Sequence, residues 1–526
     1  MTLSHFDTTV FIVYVVGLLM LALWISRNED DQGKNTNDYF MASNALPWWA
    51  IGASLIAANI SAEQIIGMSG SGYAIGLAIA SYEWMAAITL IIVGKYFLPI
   101  FLKRNIYTMP QFLEQRFDKN VKTVMAVFWL GVYVFVNLTS ILWLGALAIN
   151  TVAGLDIQFA MILLALLSLD YSLYGGLKAV ALTDILQVVL LITGGLILVY
   201  LSLSEVSQGQ GFWAGFKMLT DSVPEKFDMI LAKDHPDYIN LPGISVLVGG
   251  MWIMNLSYWG FNQYIIQRAL AAKNIKEAQK GIAFAAYLKL LMPIIVVLPG
   301  IAAVLIFPNL ESPDKAYPSL MSLMPEGLKG LIFAALVAAI VSSISSMSNS
   351  ISTIFTLDIY SQLKPNRSQH HYVNIGRMAS LAGLSCALIV AEPLLGQFDQ
   401  AFQYIQNFTG FFTPGIVCIF LLGLFWQRTS SFGALIAALG SFVFSTILYV
   451  FFKELPFIDR VGYVFLLCMV SAVLASLLSQ GVNKDNNNAM DRAVNVKDID
   501  FSTTTQFNVA TAGIIAILIA LYLSWW

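Results

Sequence analysis

The sequence predicts an all-α integral membrane protein of about fourteen transmembrane helices, with a core of two five-helix blocks related as an inverted repeat. Of its 526 residues, 58% are hydrophobic and only 11% charged, where soluble domains carry about 25% charged residues. Apolar runs of about 20 residues, enough for a helix to cross a bilayer, recur along nearly the whole chain. Two of those runs carry polar interruptions at corresponding places.

Bounded by charge clusters, Gly, Pro, Asn and Asp, the predicted spans fall at 8–26, 47–72, 78–103, 121–152, 157–175, 179–204, 242–268, 276–307, 326–360, 373–393, 398–424, 430–452, 460–480 and 507–526. The first has no basic stretch before it and no small-residue cleavage signal after it, so it is expected to be a retained helix and not a secretory signal. Span two is interrupted by Asn59-Ile60-Ser61-Ala62-Glu63-Gln64. A polar loop at 205–241, holding Pro224 and Pro236, divides spans two to six from spans seven to eleven. Because five is odd, the second block enters from the opposite side, which is the topology of an inverted repeat. Span seven, the counterpart of span two, is interrupted from Asn255 to Asn262. Paired polar breaks at mid-membrane point to a transport site, since close helix packing alone calls for Gly and Ser but not for Asn, Glu and Gln.

The chain therefore divides into a first peripheral helix and cytoplasmic loop (1–46), a first repeat unit (47–204), an extracytoplasmic loop (205–241), a second repeat unit (242–424) and three peripheral C-terminal helices (425–526). The odd-numbered connecting segments, with the span ends that adjoin them, hold 19 Lys and Arg and the even-numbered ones seven. Basic residues stay on the cytoplasmic side, so both termini are expected outside the cytoplasm, in a multi-pass protein of the plasma (inner) membrane.

Several functions are excluded. A net charge of −3 gives no basic footprint for nucleic acid. Cys386, Cys418 and Cys468 lie in apolar stretches without CxxC spacing. His5, His235, His370 and His371 all fall outside the spans, which argues against a histidine proton relay, and no phosphate-binding G-x-x-x-x-G-K-[ST] occurs. A membrane enzyme would need a catalytic dyad, and no His or Cys inside the membrane is in reach of one, so an enzyme is not expected.

Ionisable groups at bilayer depth cost about 2.5–3.5 kcal/mol each on insertion scales, so Glu63, Glu83, Asp170, Asp184 and Lys289 are functional candidates. Glu63 and Gln64, as helical neighbours, project about 100° apart, so at most one is expected to point squarely into a cavity. Glu83 and Lys289, with Asn59, Gln64, Asn255 and Gln406, offer both acceptors and donors, as a neutral polyhydroxylated ligand requires. Tyr82, Tyr258, Trp259 and Phe402 flank those positions and could stack on a sugar ring and close the site. In span nine Ala339, Ser342, Ser343 and Ser346 share one stripe. Hydroxyls and freed carbonyls are hard oxygens suited to an alkali cation, and Asp184 belongs to the same half of the membrane.

Tyr171-Ser-Leu-Tyr-Gly-Gly-Leu-Lys-Ala179 resembles the signature of the sodium/solute symporter family. Ala57 to Gln64, Ser81 to Trp84, Asn255 to Gln267 and Phe402 to Gln406 are similar to the corresponding stretches of its bacterial sodium/galactose cotransporters. The resemblance implies a LeuT-like fold and sodium-coupled uptake of a neutral hexose of the galactose or glucose type. It implies sugar contacts at Gln64, Glu83, Asn255, Lys289 and Gln406, an outer gate of Met68, Tyr82 and Phe402, and an inner gate of Tyr258 held by Asn59. Sodium is implied at the carbonyls of Ala57, Ile60 and Ala339 and the hydroxyls of Ser342 and Ser343, with Asp184 nearby. Ala86 stands where those cotransporters have a sugar-contacting Ser, and Asp170 where they are apolar. A sodium symporter of another small polar solute, or an uncoupled sugar uniporter, are the alternatives.

Overall fold

The computed structural model describes residues 3–27, 47–104, 106, 109–174, 177–396, 398, 400–479 and 494–526; of residues 19, 22–27, 170–174, 177–184 and 369 it describes the backbone alone. The side chains of Asp170, Asp184 and the stretch 171–179 thus lie outside the described residues.

Every regular element among the described residues is a helix. In chain order they are α1 (His5–Arg27), α2 (Trp48–Asn59), α3 (Glu63–Ala74), α4 (Leu77–Lys103), α5 (Met109–Arg116), α6 (Lys119–Ala153), α7 (Ile157–Tyr174) and α8 (Leu177–Val206). After α9 (Phe212–Ser222) come α10 (Gly250–Phe261), α11 (Gln263–Leu270), α12 (Ile275–Ile306), α13 (Leu328–Leu363), α14 (Gln369–Leu395), α15 (Ala401–Thr409), α16 (Thr413–Phe425), α17 (Ser431–Phe451), α18 (Phe457–Ser479) and α19 (Thr505–Ser524). Among the described residues nine helices are long and apolar enough to cross a membrane, or up to 11 if each bent pair is one span.

Two breaks shape the centre. α2 and α3 meet at 68°, and α15 and α16 at 42°. The first falls where polar residues interrupt span two. The second was not expected: span eleven stops at Thr409 and resumes at Thr413-Pro414, with Pro in the first turn, where its missing N–H costs nothing. The expected interruption of span seven is corrected. Asn255 to Phe261 is continuous helix and only Asn262 turns extended (φ −87°, ψ 118°). Asn255 remains helical because its Nδ2 donates to the Met251 carbonyl one turn back, at 3.2 Å. The loop 205–241 is also not wholly irregular, since it contains α9.

α12 forms the spine of the molecule, packed against α2, α3, α4 and α8. Small residues bring these backbones together, as in membrane helix pairs generally. A Cβ built at Gly281 of α12 would stand 2.7 Å from Ile51 Cβ and 2.8 Å from the Trp48 carbonyl of α2. Gly281→Ala is therefore expected to lower stability by about 1–3 kcal/mol through overpacking, read as a lower unfolding midpoint in detergent; an unchanged midpoint would show that α2 can shift freely. At the other end of α2–α3, Gly76 takes φ +105° beneath the Lys226 backbone, and the Lys226 ammonium donates to the Ala74 carbonyl. The long loop is thereby seated on the α3–α4 turn. That end is the long-loop end below, and the opposite one the far end. Around this core α14, α17, α18 and α19 present rows of exposed apolar side chains, among them Leu381, Phe442, Leu466 and Ile519, the surface a bilayer would cover.

Candidate functional site

Between the two helix breaks lies a cavity with about 1240 Å³ of space free of protein atoms, its mouth included. Where α2 ends, Ile60 turns extended (φ −71°, ψ 103°), so the carbonyls of the last turn leave the helical ladder. Glu63 to Gly67 then form a π turn. Gln64, Glu83, Asn255, Lys289 and Gln406 all line this cavity, as do Asn59, Tyr82, Tyr258, Trp259, Phe402 and Ser343. Glu63 lines it as well, with its carboxylate accepting from Ser140 of α6.

Lys289 is fully buried in α12. It donates to Glu83 Oε2 of α4 at 2.5 Å and to Asn59 Oδ1 of α2, and Asn59 Nδ2 donates to the Tyr258 hydroxyl of α10 at 3.1 Å. One chain of hydrogen bonds thus joins four helices. The Lys289 ammonium also stands 5.0 Å from the Trp259 ring centroid. A buried ion pair adds little net stability, because desolvation offsets its attraction. What it does here is present a donor and an acceptor on one wall while leaving their summed charge near zero.

Other polar atoms on the wall have no partner among the described residues: Gln64 Oε1, the Tyr82 hydroxyl, Thr409 Oγ1 and Thr413 Oγ1. Leaving such a group buried and unpaired costs about 1–3 kcal/mol. A ligand rich in hydroxyls would satisfy several at once.

The sequence reading overlooked the α6 wall. Tyr133 and Asn137 line the cavity, and Ser140 Oγ donates to Glu63 Oε1 at 2.6 Å. Asn137 and Ser140, three residues apart in an apolar run, were the available signal.

Side-chain contacts bound the cavity toward each end. At the long-loop end the Tyr82 and Phe402 rings meet edge to face, with centroids 5.2 Å apart and an 89° interplanar angle. A Cβ on Gly67 would be 3.3 Å from Phe402 Cβ, and Asp314 Oδ2 accepts from the Ala401 N–H at 2.9 Å, holding the start of α15. Met68 is fully buried and is not on the cavity wall. Toward the far end, α2 is stapled to α10 and α11. Besides Tyr258 to Asn59, the Tyr264 hydroxyl donates to the Ala58 carbonyl at 3.0 Å, and Arg268 donates to the Ser54 carbonyl and hydroxyl at 2.7 and 2.6 Å.

Of the expected cation ligands, Ser343 is on the wall while Ala57, Ile60, Ala339 and Ser342 are not. Ile60, Ala339 and Ser342 are buried, the latter two in α13.

The profile of the Sodium:solute symporter family matches residues 39–440. The sodium/glucose cotransporter of Vibrio parahaemolyticus is 51% identical, over 100% of this chain and 99% of that one. The sodium/myo-inositol cotransporter 2 of Mus musculus is 34% identical, over 81% of this chain and 67% of that one. Among solved structures, a substrate-bound outward-open Na+-coupled sialic acid symporter is similar with a TM-score of 0.76 at 22% identity, over 90% of this chain and 98% of that one. A nucleobase-cation-symport-1 family transporter in a closed conformation is similar with a TM-score of 0.54 at 13% identity, over 86% and 98%. At these identities the likeness is one of fold.

Proposed function

The chain belongs to the sodium:solute symporter family and is a multi-pass membrane protein that couples solute movement to sodium; from that premise we propose that its solute is a neutral hexose of the glucose or galactose type. The observation that carries this is the cavity wall. Glu83 and Lys289 pair with each other and the Glu63 carboxylate is engaged by Ser140, so the wall presents paired polar groups suited to a ligand without net charge. With Gln64, Asn255 and Gln406 it offers donors and acceptors in the mixture that ring hydroxyls match. Ala86 lines the same wall and offers no hydroxyl.

In this reading the helices make fourteen spans, with 47–204 and 242–424 as the inverted repeats and the long-loop end outside the cytoplasm. Sodium sits where the freed carbonyls of Ala57 and Ile60 approach Ala339, Ser342 and Ser343, with Asp184 adding negative potential. The ion then ties the first repeat to the second and steadies the α2–α3 break that carries Gln64. Sugar is covered from outside by Tyr82 and Phe402. It leaves inward when Tyr258 parts from Asn59. The Lys289–Asn59 bond links the two events, because a sugar hydroxyl that engages Lys289 competes with the residue holding the inner latch.

Tyr258→Phe keeps the ring and deletes the hydroxyl that Asn59 bonds. One hydrogen bond contributes about 0.5–1.5 kcal/mol, and Tyr264 and Arg268 still hold α2, so sugar exchange should quicken several-fold while binding persists. Exchange rates equal to the parent's would remove Tyr258 from the gate.

The experiment that tests the function is uptake into proteoliposomes with and without an inward sodium gradient, using a panel of labelled hexoses and myo-inositol. Glucose or galactose should accumulate above equilibrium only with the gradient. Uptake that equilibrates regardless of sodium would mean an uncoupled uniporter, and accumulation of myo-inositol alone would reassign the solute.

A further inference from the structure

A second pocket lies at the long-loop end, away from the central cavity, with about 880 Å³ of space free of protein atoms, its mouth included. It is walled by the end of the long loop at Asn240, by Asn407 of α15, by Tyr449 and Phe452 at the end of α17, by Lys453 and by Arg460 in the first turn of α18. Arg460 is 3% exposed. Its Nη2 donates to the Asn407 carbonyl at 3.2 Å and to Asn407 Oδ1 at 2.5 Å, and its guanidinium stands 4.6 Å from the Phe411 ring and 5.2 Å from the Tyr449 ring. Those contacts are all neutral. Among the described residues the Nε has no partner and no carboxylate pairs with the guanidinium. Asp459, its chain neighbour, shares a hydrogen bond with Ser245 instead. Lys453 likewise makes no ion pair among the described residues, and neither Asp nor Glu lines the pocket.

Two cations without an anion, one of them buried, are an incomplete arrangement: a buried charge is ordinarily paired or highly hydrogen-bonded. Guanidinium presents its donors as a planar fork that fits the oxygens of a phosphate, and a nearby ammonium adds a second charge. The surroundings narrow the class of ligand further. Val450, Phe451 and Phe452 are exposed beside the pocket, at the end of α17 where a membrane surface would lie, so apolar chains attached to the phosphate would have a surface to follow.

We propose that Arg460 and Lys453 form an anion site for a phosphate group, supplied by an anionic phospholipid headgroup or by free phosphate. Because Arg460 also holds Asn407, beside Gln406, an occupant would steady the end of α15.

The test titrates the purified full chain in detergent with dioctanoyl phosphatidylglycerol, with dioctanoyl phosphatidylcholine and with inorganic phosphate, reading bound ligand by native mass spectrometry and the thermal unfolding midpoint. Phosphatidylglycerol should bind more tightly than phosphatidylcholine and raise the midpoint. Loss of one charge-assisted contact corresponds to roughly tenfold in affinity, so Lys453→Gln, at the exposed rim where folding is not at stake, should weaken phosphatidylglycerol by about that factor. Arg460→Lys, which keeps a charge and loses the fork, should weaken it too. Binding of inorganic phosphate that both variants diminish would identify the free ion as a source; phosphatidylglycerol alone would identify the lipid. Equal binding of the two lipids without a phosphate effect, or unchanged affinity in both variants, would overturn the site.

Discussion

Lys289→Ala is expected to abolish sugar uptake, a loss of at least a hundredfold, and Gln64→Ala to match it by a different route. Removing Lys289 strands the Glu83 carboxylate in the protein interior and leaves Asn59 Oδ1 without its donor. Breaking a buried ion pair from one side costs about 3–5 kcal/mol, so lost uptake alone would not separate binding from folding. The double variant Lys289→Ala/Glu83→Gln does: the stranded charge is gone, so insertion and stability should recover while uptake does not. Recovered uptake would make the pair a scaffold and nothing more. Gln64→Ala strands no charge. Among the described residues its Oε1 has no partner, so deleting it costs the fold no hydrogen bond there, and an unchanged unfolding midpoint would assign the lost uptake to the ligand. Parental uptake at low sugar by Gln64→Ala would remove this wall from the site.

Ser343→Ala should shift the sodium dependence of sugar binding to higher concentration and lower sugar affinity at fixed sodium. A small cation held by few protein oxygens cannot readily replace one of them, and if sodium steadies the break that carries Gln64, ion and sugar affinities are linked reciprocally. Asp184→Asn should give a milder version, since it reduces local negative potential without deleting a direct ligand. Sodium dependence intact in Ser343→Ala would place the cation elsewhere.

How much of this was legible in the sequence follows from how local each cause is. Apolar length is a local property, so the helices at 78–103, 121–152 and 276–307 were found within a few residues as α4, α6 and α12. The α2–α3 break was legible because Asn59 and Gln64 cannot be left unpaired in hydrocarbon. The same rule misjudged span seven, because Asn255 satisfies itself on its own helix. It passed over the α15–α16 break, where Gly410, Phe411 and Phe412 are as apolar as a continuing helix. The eight residues of α5 were too few for a helical period to register. At the site, residue types suggested a polar set, and Gln64, Glu83, Asn255, Lys289 and Gln406 do line one cavity, while Met68, Ala57, Ile60, Ala339 and Ser342 do not. Their pairing was not legible: Lys289 meets Asn59 across 230 positions and Glu83 across 206, and nothing near any of the three in the chain says that the ammonium joins Glu83 to Asn59 and, through it, to Tyr258.

The most direct test of sodium-coupled sugar transport through this cavity is a calorimetric titration of the purified protein with glucose and galactose at a series of sodium concentrations, with choline keeping ionic strength constant. The apparent Kd for sugar should fall as sodium rises, and saturating sugar should tighten sodium by the same factor. A sugar affinity that does not change across the sodium series would contradict it.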